Sequence, residues 1–197
     1  MTPNPIARNI PSAKGFRKVN EMSDGKTYEI PAGVRAQVMA GLALAWDGQW
    51  FLKANDKFGW DAAAELNIRT RHAFGRIEMR STLLALGKKK ADSLQDALEV
   101  WQAYFRMFGA DRGVFAGDYA IEGDTLAVTV HKCAAWEGAK RARLEKDIQA
   151  CLTCDNLWKA WFGTLLPDHD VSQEVLARMG FGDPACRFRV TAKTKNG

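Results

Sequence analysis

No cysteine occurs before position 133, and only two of the six prolines lie beyond position 31. No stretch approaches the roughly 18 consecutive apolar residues of a helical membrane span. The opening MTPNPIARNIPSAKG lacks the apolar core of about 7–15 residues of a secretory signal, so a cytoplasmic location is expected. Nucleophile elbow, Walker loop and HExxH motif are all missing, which removes the commonest hydrolase and nucleotide signatures. The net charge of +5 is modest, and no helix-turn-helix or aromatic-and-basic stripe accompanies it, so nucleic acid is not an indicated partner. The basic residues near the ends (Arg8, Lys14, Arg17 and Lys18, then Arg187, Arg189, Lys193 and Lys195) read as solvated charge.

What is present suits one soluble domain with an arm: residues 1–32 as a Pro-rich N-terminal arm, 33–192 as a single domain, 193–197 as a basic tail. Prolines 3, 5, 11 and 31 prevent a continuous helix in the arm, which has Ile6, Ile10, Phe16 and Ile30 as apolar anchors. From Val34 to about Phe58, Val34, Val38, Leu42, Ala45 and Trp46 recur at helical spacing. Gly59 marks a stop. A second helix is expected over Asp61–Leu86, with Ala73, Phe74, Ile77 and Leu84 as its apolar stripe and Gly75 allowing close approach. A third follows from Ser93, where Leu94, Ala97, Leu98, Trp101, Tyr104, Phe105 and Phe108 form a core stripe. The period then switches to two on either side of Glu122-Gly123-Asp124, predicting an antiparallel hairpin. Charged residues 134–149 read as a solvated helix. Leu157, Trp158, Trp161, Phe162 and Leu165 supply the buried side of another, ended by Pro167. Cys186, Phe188 and Val190 form the apolar face of a final strand.

Three acids or bases are candidates for proton transfer. Asp47 lies among Leu44, Trp46, Trp50 and Phe51 and needs solvent, a partner or a shifted pKa. Glu78 stands between Arg76 and Arg80, the pattern of a surface ion pair or of a site acid. His131 alternates onto the same strand face as Cys133, within reach of one ligand.

The four cysteines occupy the last third of the chain. Seventeen residues separate Cys133 from Cys151, two separate Cys151 from Cys154, and thirty-one separate Cys154 from Cys186. A Cys-x-x-Cys pair with one distant thiol on either side suits a four-thiolate metal centre, either zinc or an iron–sulfur cluster. The alternative is that the thiols are small buried hydrophobes. A thioredoxin-like reading needs a strand before the CxxC, where a charged helix is expected instead.

The closing GFGDPACRFRV resembles the ending of 4-vinyl-reductase-type domains, in which a Gly-Asp-Pro-x-Cys-Arg-Phe run leads into the last strand. Trp46, Asp47, Gly48, Trp50, Phe51, Gly75, Ile77, Glu78, Arg80, Cys133, Cys151 and Cys186 resemble a bacterial group named L-2-amino-thiazoline-4-carboxylic acid hydrolase-like. The likeness spans about residues 40–190. It implies an α+β fold, with N-terminal helices and a small antiparallel sheet over a pocket, the C-terminal half being 4-vinyl-reductase-like. In sensory relatives that pocket holds a small molecule and a cysteine-rich site holds zinc, which would make Cys154 and Cys186 ligands. Arg178 stands where those relatives place a further cysteine.

Three functions follow as expectations. The first is a small-molecule-binding or sensory domain with a Cys-ligated metal centre. The second is a small-molecule hydrolase using Cys133 or a metal-bound water, with Asp47, Glu78 or His131 moving protons. The third is an accessory subunit that docks through its arm on a larger enzyme, or pairs as a homodimer.

Overall fold

Helical periodicity in the first half of the chain becomes three helices: α1 (Ala32–Phe58), α2 (Trp60–Ala85) and α3 (Leu94–Met107). The computed structural model describes residues 29–107, 115–141, 143 and 153–195. Gly59 joins α1 to α2 at φ 80°, a left-handed backbone that glycine adopts without strain. α3 begins as expected, with the Ser93 hydroxyl accepting the Asp96 N–H at 3.1 Å. The return bond differs from a capping box: Asp96 accepts the N–H of Asp92, at 2.8 Å.

The period-two segments form β1 (Phe115–Glu122) and β2 (Thr125–Cys133), followed by the short helix α4 (Ala134–Arg141) and by α5 (Leu157–Leu165). Two further strands, β3 (His169–Ala177) and β4 (Cys186–Thr194), complete an antiparallel sheet in the order β1-β2-β4-β3. The protein is therefore α+β, with helices first and the sheet in the C-terminal half. β3 had no strand prediction, although its exposure alternates residue by residue from His169 to Leu176. Up to Val175 each of its inward side chains is only half-buried, and only Ala177 at its end is buried, so the apolar signal of this edge strand is weak.

One face of the sheet is covered. Leu126, Val128 and Val130 of β2 and Cys186, Phe188, Val190 and Ala192 of β4 point into the core, with all five predicted apolar residues of α5. Trp101 of α3 sits at the centre, its ring against Phe105, Phe115, Tyr119, Trp158 and Trp161. α2 crosses α5 closely: a Cβ on Gly75 would meet Leu157 Cδ1 at 3.0 Å, so the glycine does permit close approach.

The predicted stripe of α2 has the right period and the wrong face. Ala73, Phe74, Ile77 and Leu84 are exposed, Leu84 by 80%, whereas Gly75, Glu78, Met79, Thr82 and Leu83 are buried. The reason is tertiary: α5 and α3 pack on the side that carries the small and polar residues. On α1, only Ala54 is buried. Among the described residues, no helix is long and apolar enough to cross a membrane.

Candidate anion-binding cleft

His72, Arg76 and Arg80 recur every four residues and so lie along one side of α2. Opposite them, Asn156, Ala160, Gly163 and Thr164 run along α5, where small side chains leave room. Together with Leu83, Lys89, Lys159 and Pro167, these residues line an open cleft of about 810 Å³. That volume falls within the roughly 300–1,000 Å³ of small-molecule sites.

The lining carries two arginines, two lysines and a histidine, and no carboxylate. Nearby acids are engaged elsewhere: Asp168 with Lys90, Asp155 with Arg178, Asp92 and Asp96 with Lys88. Among the described residues, Arg76, Arg80, Lys89 and Lys159 make no ion pair. His72 donates from Nε2 to the Asp155 carbonyl at 2.5 Å, which orients the ring. Asn156 precedes α5 at φ 61° without a side-chain cap bond, and Gln173 Oε1 of β3 accepts the Lys159 N–H of the helix's first turn at 3.2 Å.

Glu78 lies on the other side of α2, sealed in the core at 6% exposure. It is not a surface pair with Arg76 or Arg80. Its carboxylate accepts from Tyr104 Oη at 2.5 Å, Trp161 Nε1 at 2.7 Å and Arg71 Nη1 at 3.3 Å. One carboxylate thus ties α2 to both α3 and α5. Burial works against the Arg71 charge, yet Glu78 and Asp47 outweigh it and raise its pKa. Burial first, and then the Glu78 charge, push the Tyr104 phenol well above its usual range. Tyr104 therefore stays protonated and donates.

No protein-family model matches the chain, and no curated protein matches its sequence.

The other expected site residues are dispersed. Asp47 is exposed on α1, close enough to Arg71 to raise its pKa. His131 stands on the open face of the sheet and pairs with Asp118 at 2.7 Å. It does not share that face with Cys133. The β1–β2 register shifts between Ala116 and Gly117, because Gly117 pairs with Val130 while Ala116 pairs with Lys132. The additional residue, His131, is a β-bulge, and it turns Cys133 back to pack against the core. Gly117 makes this possible: a Cβ there would lie 2.6 Å from the Thr129 carbonyl oxygen.

The Cys-ligated metal centre is corrected. Among the described residues, no group of three or more His, Cys, Asp or Glu side chains could hold a metal ion. Cys133, Cys154 and Cys186 pack against or within the core, and Cys151 lies outside the described residues. Burial raises the pKa of Cys133, partly offset by the Trp136 and Ala135 N–H groups. Burial likewise raises that of Cys186, whose sulfur accepts the Met179 N–H at 3.3 Å. Both environments favour the neutral thiol. The plain alternative, small hydrophobes at the core, describes them better.

The cleft was not foreseen. Its signal was present in the i, i+4, i+8 spacing of His72, Arg76 and Arg80, but nothing local says that a helix distant in sequence will present glycine and alanine to that side.

Proposed function

We propose that this protein binds a small organic anion, a phosphate monoester or a di- or tricarboxylate, in the cleft between α2 and α5. The carrying observation is the convergence of Arg76, Arg80, Lys89 and Lys159 on one concavity with no acidic residue in its lining and, among the described residues, no ion pair of their own. Guanidinium groups suit bidentate recognition of phosphate or carboxylate, while lysines act as mobile point charges. Thr164, whose hydroxyl donates at 2.8 Å to the Ala160 carbonyl, keeps lone pairs toward any donor on the ligand. The resemblance of the chain's ending to 4-vinyl-reductase-type domains supports a pocket-bound small molecule as well.

Calorimetric titration with inorganic phosphate, a phosphate monoester and citrate tests this at low and high salt. Binding is expected at low salt and should weaken as salt rises. Arg80→Ala or Arg76→Ala should weaken it about 10- to 100-fold, the worth of one charge-assisted hydrogen bond of about 1.5–3 kcal/mol. The exposed Arg187→Ala on the sheet should leave it unchanged. Equal affinity in the Arg80 and Arg76 variants, or no binding of any of the three anions at millimolar concentration, overturns the proposal.

A further inference from the structure

We infer that the ligand of the α2–α5 cleft carries two anionic groups and that Lys89 selects for the second of them, an inference that rests on the anion-binding reading above. Three consecutive lysines follow α2, and their surroundings differ. Lys88 holds Asp92 at 3.2 Å and Asp96 at 2.7 Å, and Lys90 pairs with Asp168. Lys89, between them, lines the cleft and makes no ion pair among the described residues. The backbone fixes this division. The chain leaves α2 through a Schellman turn, in which Lys88 N–H donates to the Leu83 carbonyl at 2.8 Å and Gly87 N–H to that of Leu84 at 3.1 Å. On the far side Ala91 N–H donates to the Leu165 carbonyl at 2.9 Å. Lys89 is therefore held between two anchored points, at the end of the cleft where α5 finishes.

Position along the helices separates Lys89 from the other cations. α5 runs beside α2 in the same direction: His72 meets the Asp155 carbonyl, Gly75 lies against Leu157, Glu78 bonds Trp161, and Ala91, past the end of α2, reaches Leu165. Arg76 and Arg80 stand about one turn apart alongside α5, and Lys159 extends from its first turn. Beyond Arg80 the lining is uncharged: Leu83, about 4.5 Å farther along the axis, with Gly163, Thr164 and Pro167. Lys89 follows that gap. The order is thus a cluster of three cations, an uncharged stretch and one cation. Charge points the same way. A phosphate monoester carries about −1.5 to −2 at neutral pH, which leaves part of the lining's positive charge uncompensated. Two guanidinium groups and a lysine suit the phosphate, with its three acceptor oxygens, and a lone lysine suits a single carboxylate. The class selected is a short phosphorylated acid, its phosphate and carboxylate separated by a few uncharged atoms.

Glycerol 3-phosphate and 3-phosphoglycerate are a matched pair of probes, the second having a carboxylate in place of a hydroxymethyl group. Calorimetric titration at low salt should find 3-phosphoglycerate bound about 10-fold more tightly, the worth of one additional charge-assisted contact. In Lys89→Ala that ratio should fall to about twofold or less, whereas Lys89→Arg, which keeps the charge, should retain it. Arg80→Ala should weaken both probes and preserve the ratio. Arg187→Ala, on the open face of the sheet, should change neither affinity. Equal binding of the two probes by the unaltered protein overturns the inference while leaving the anion site standing, and so does a ratio that survives Lys89→Ala. Failure of both probes and of inorganic phosphate to bind overturns the anion-binding reading itself, and this inference with it.

Discussion

Replacing Glu78 by alanine is the sharpest perturbation available in the core. The substitution removes the acceptor for the Tyr104 hydroxyl and the Trp161 N–H, and strands the Arg71 guanidinium, whose side chain is only 21% exposed. A buried donor left unsatisfied costs about 1–3 kcal/mol, and breaking a buried charge pair about 3–5 kcal/mol. These losses share one carboxylate and do not add. Arg71 can also swing part of its charge toward water, which favours the low end. The expected loss is about 3–5 kcal/mol, a large share of the 5–15 kcal/mol that holds a domain folded. Glu78→Gln keeps the volume and one acceptor oxygen but turns an amide N–H₂ toward a donor, so about 2 kcal/mol is expected. Tyr104→Phe should cost about 1.5–3 kcal/mol, the value of one charged hydrogen bond. Urea unfolding followed by tryptophan fluorescence measures all three, with Asp47→Ala as a surface control expected within about 0.5 kcal/mol. A loss below about 1 kcal/mol for Glu78→Ala would show that water reaches this network and that the carboxylate does not tie the helices together.

Gly117→Ala should destabilise by about 1–3 kcal/mol, the usual range for overpacking, because its Cβ would meet a backbone carbonyl oxygen that no rotamer can move; a neutral Tm would mean that the bulge relaxes freely. The pH dependence has a definite sign. Cys133 and Cys186 hold raised pKa values in the folded state, so their contribution is fully present below the unfolded thiol value of about 8.5 and is lost as pH rises through the folded values. The urea midpoint should therefore fall on the alkaline side, less steeply in Cys133→Ala. Tyr119, pushed up to about 12 by burial and then by Asp118, adds a loss of the same sign at still higher pH. A midpoint that rises with alkaline pH, or an unaltered slope in Cys133→Ala, contradicts this account.

Much of the fold was legible because its signals are local. The α3 stripe, the α5 stripe and the Leu126-Val128-Val130 alternation all predicted core, and each of these segments has one strongly apolar side. Legibility failed where two sides compete. α2 has both an apolar side and a side of small and polar residues, and the latter is buried because Trp161 and Tyr104 bring donors for Glu78. It failed again at His131, where one additional residue in a ladder reverses the face of Cys133.

The sequence by itself determined the helices, the hairpin, the closing strand and the mixed α+β class, since periodicity and turn residues act over a few neighbours. Only the tertiary structure decided which side of each helix meets the core, where the described thiols sit, and that four cations with no ion pair among the described residues surround one cleft. Those outcomes depend on contacts between segments dozens of residues apart, such as Glu78 with Trp161 and Arg80 across from Ala160, and no local pattern encodes the partner's surface.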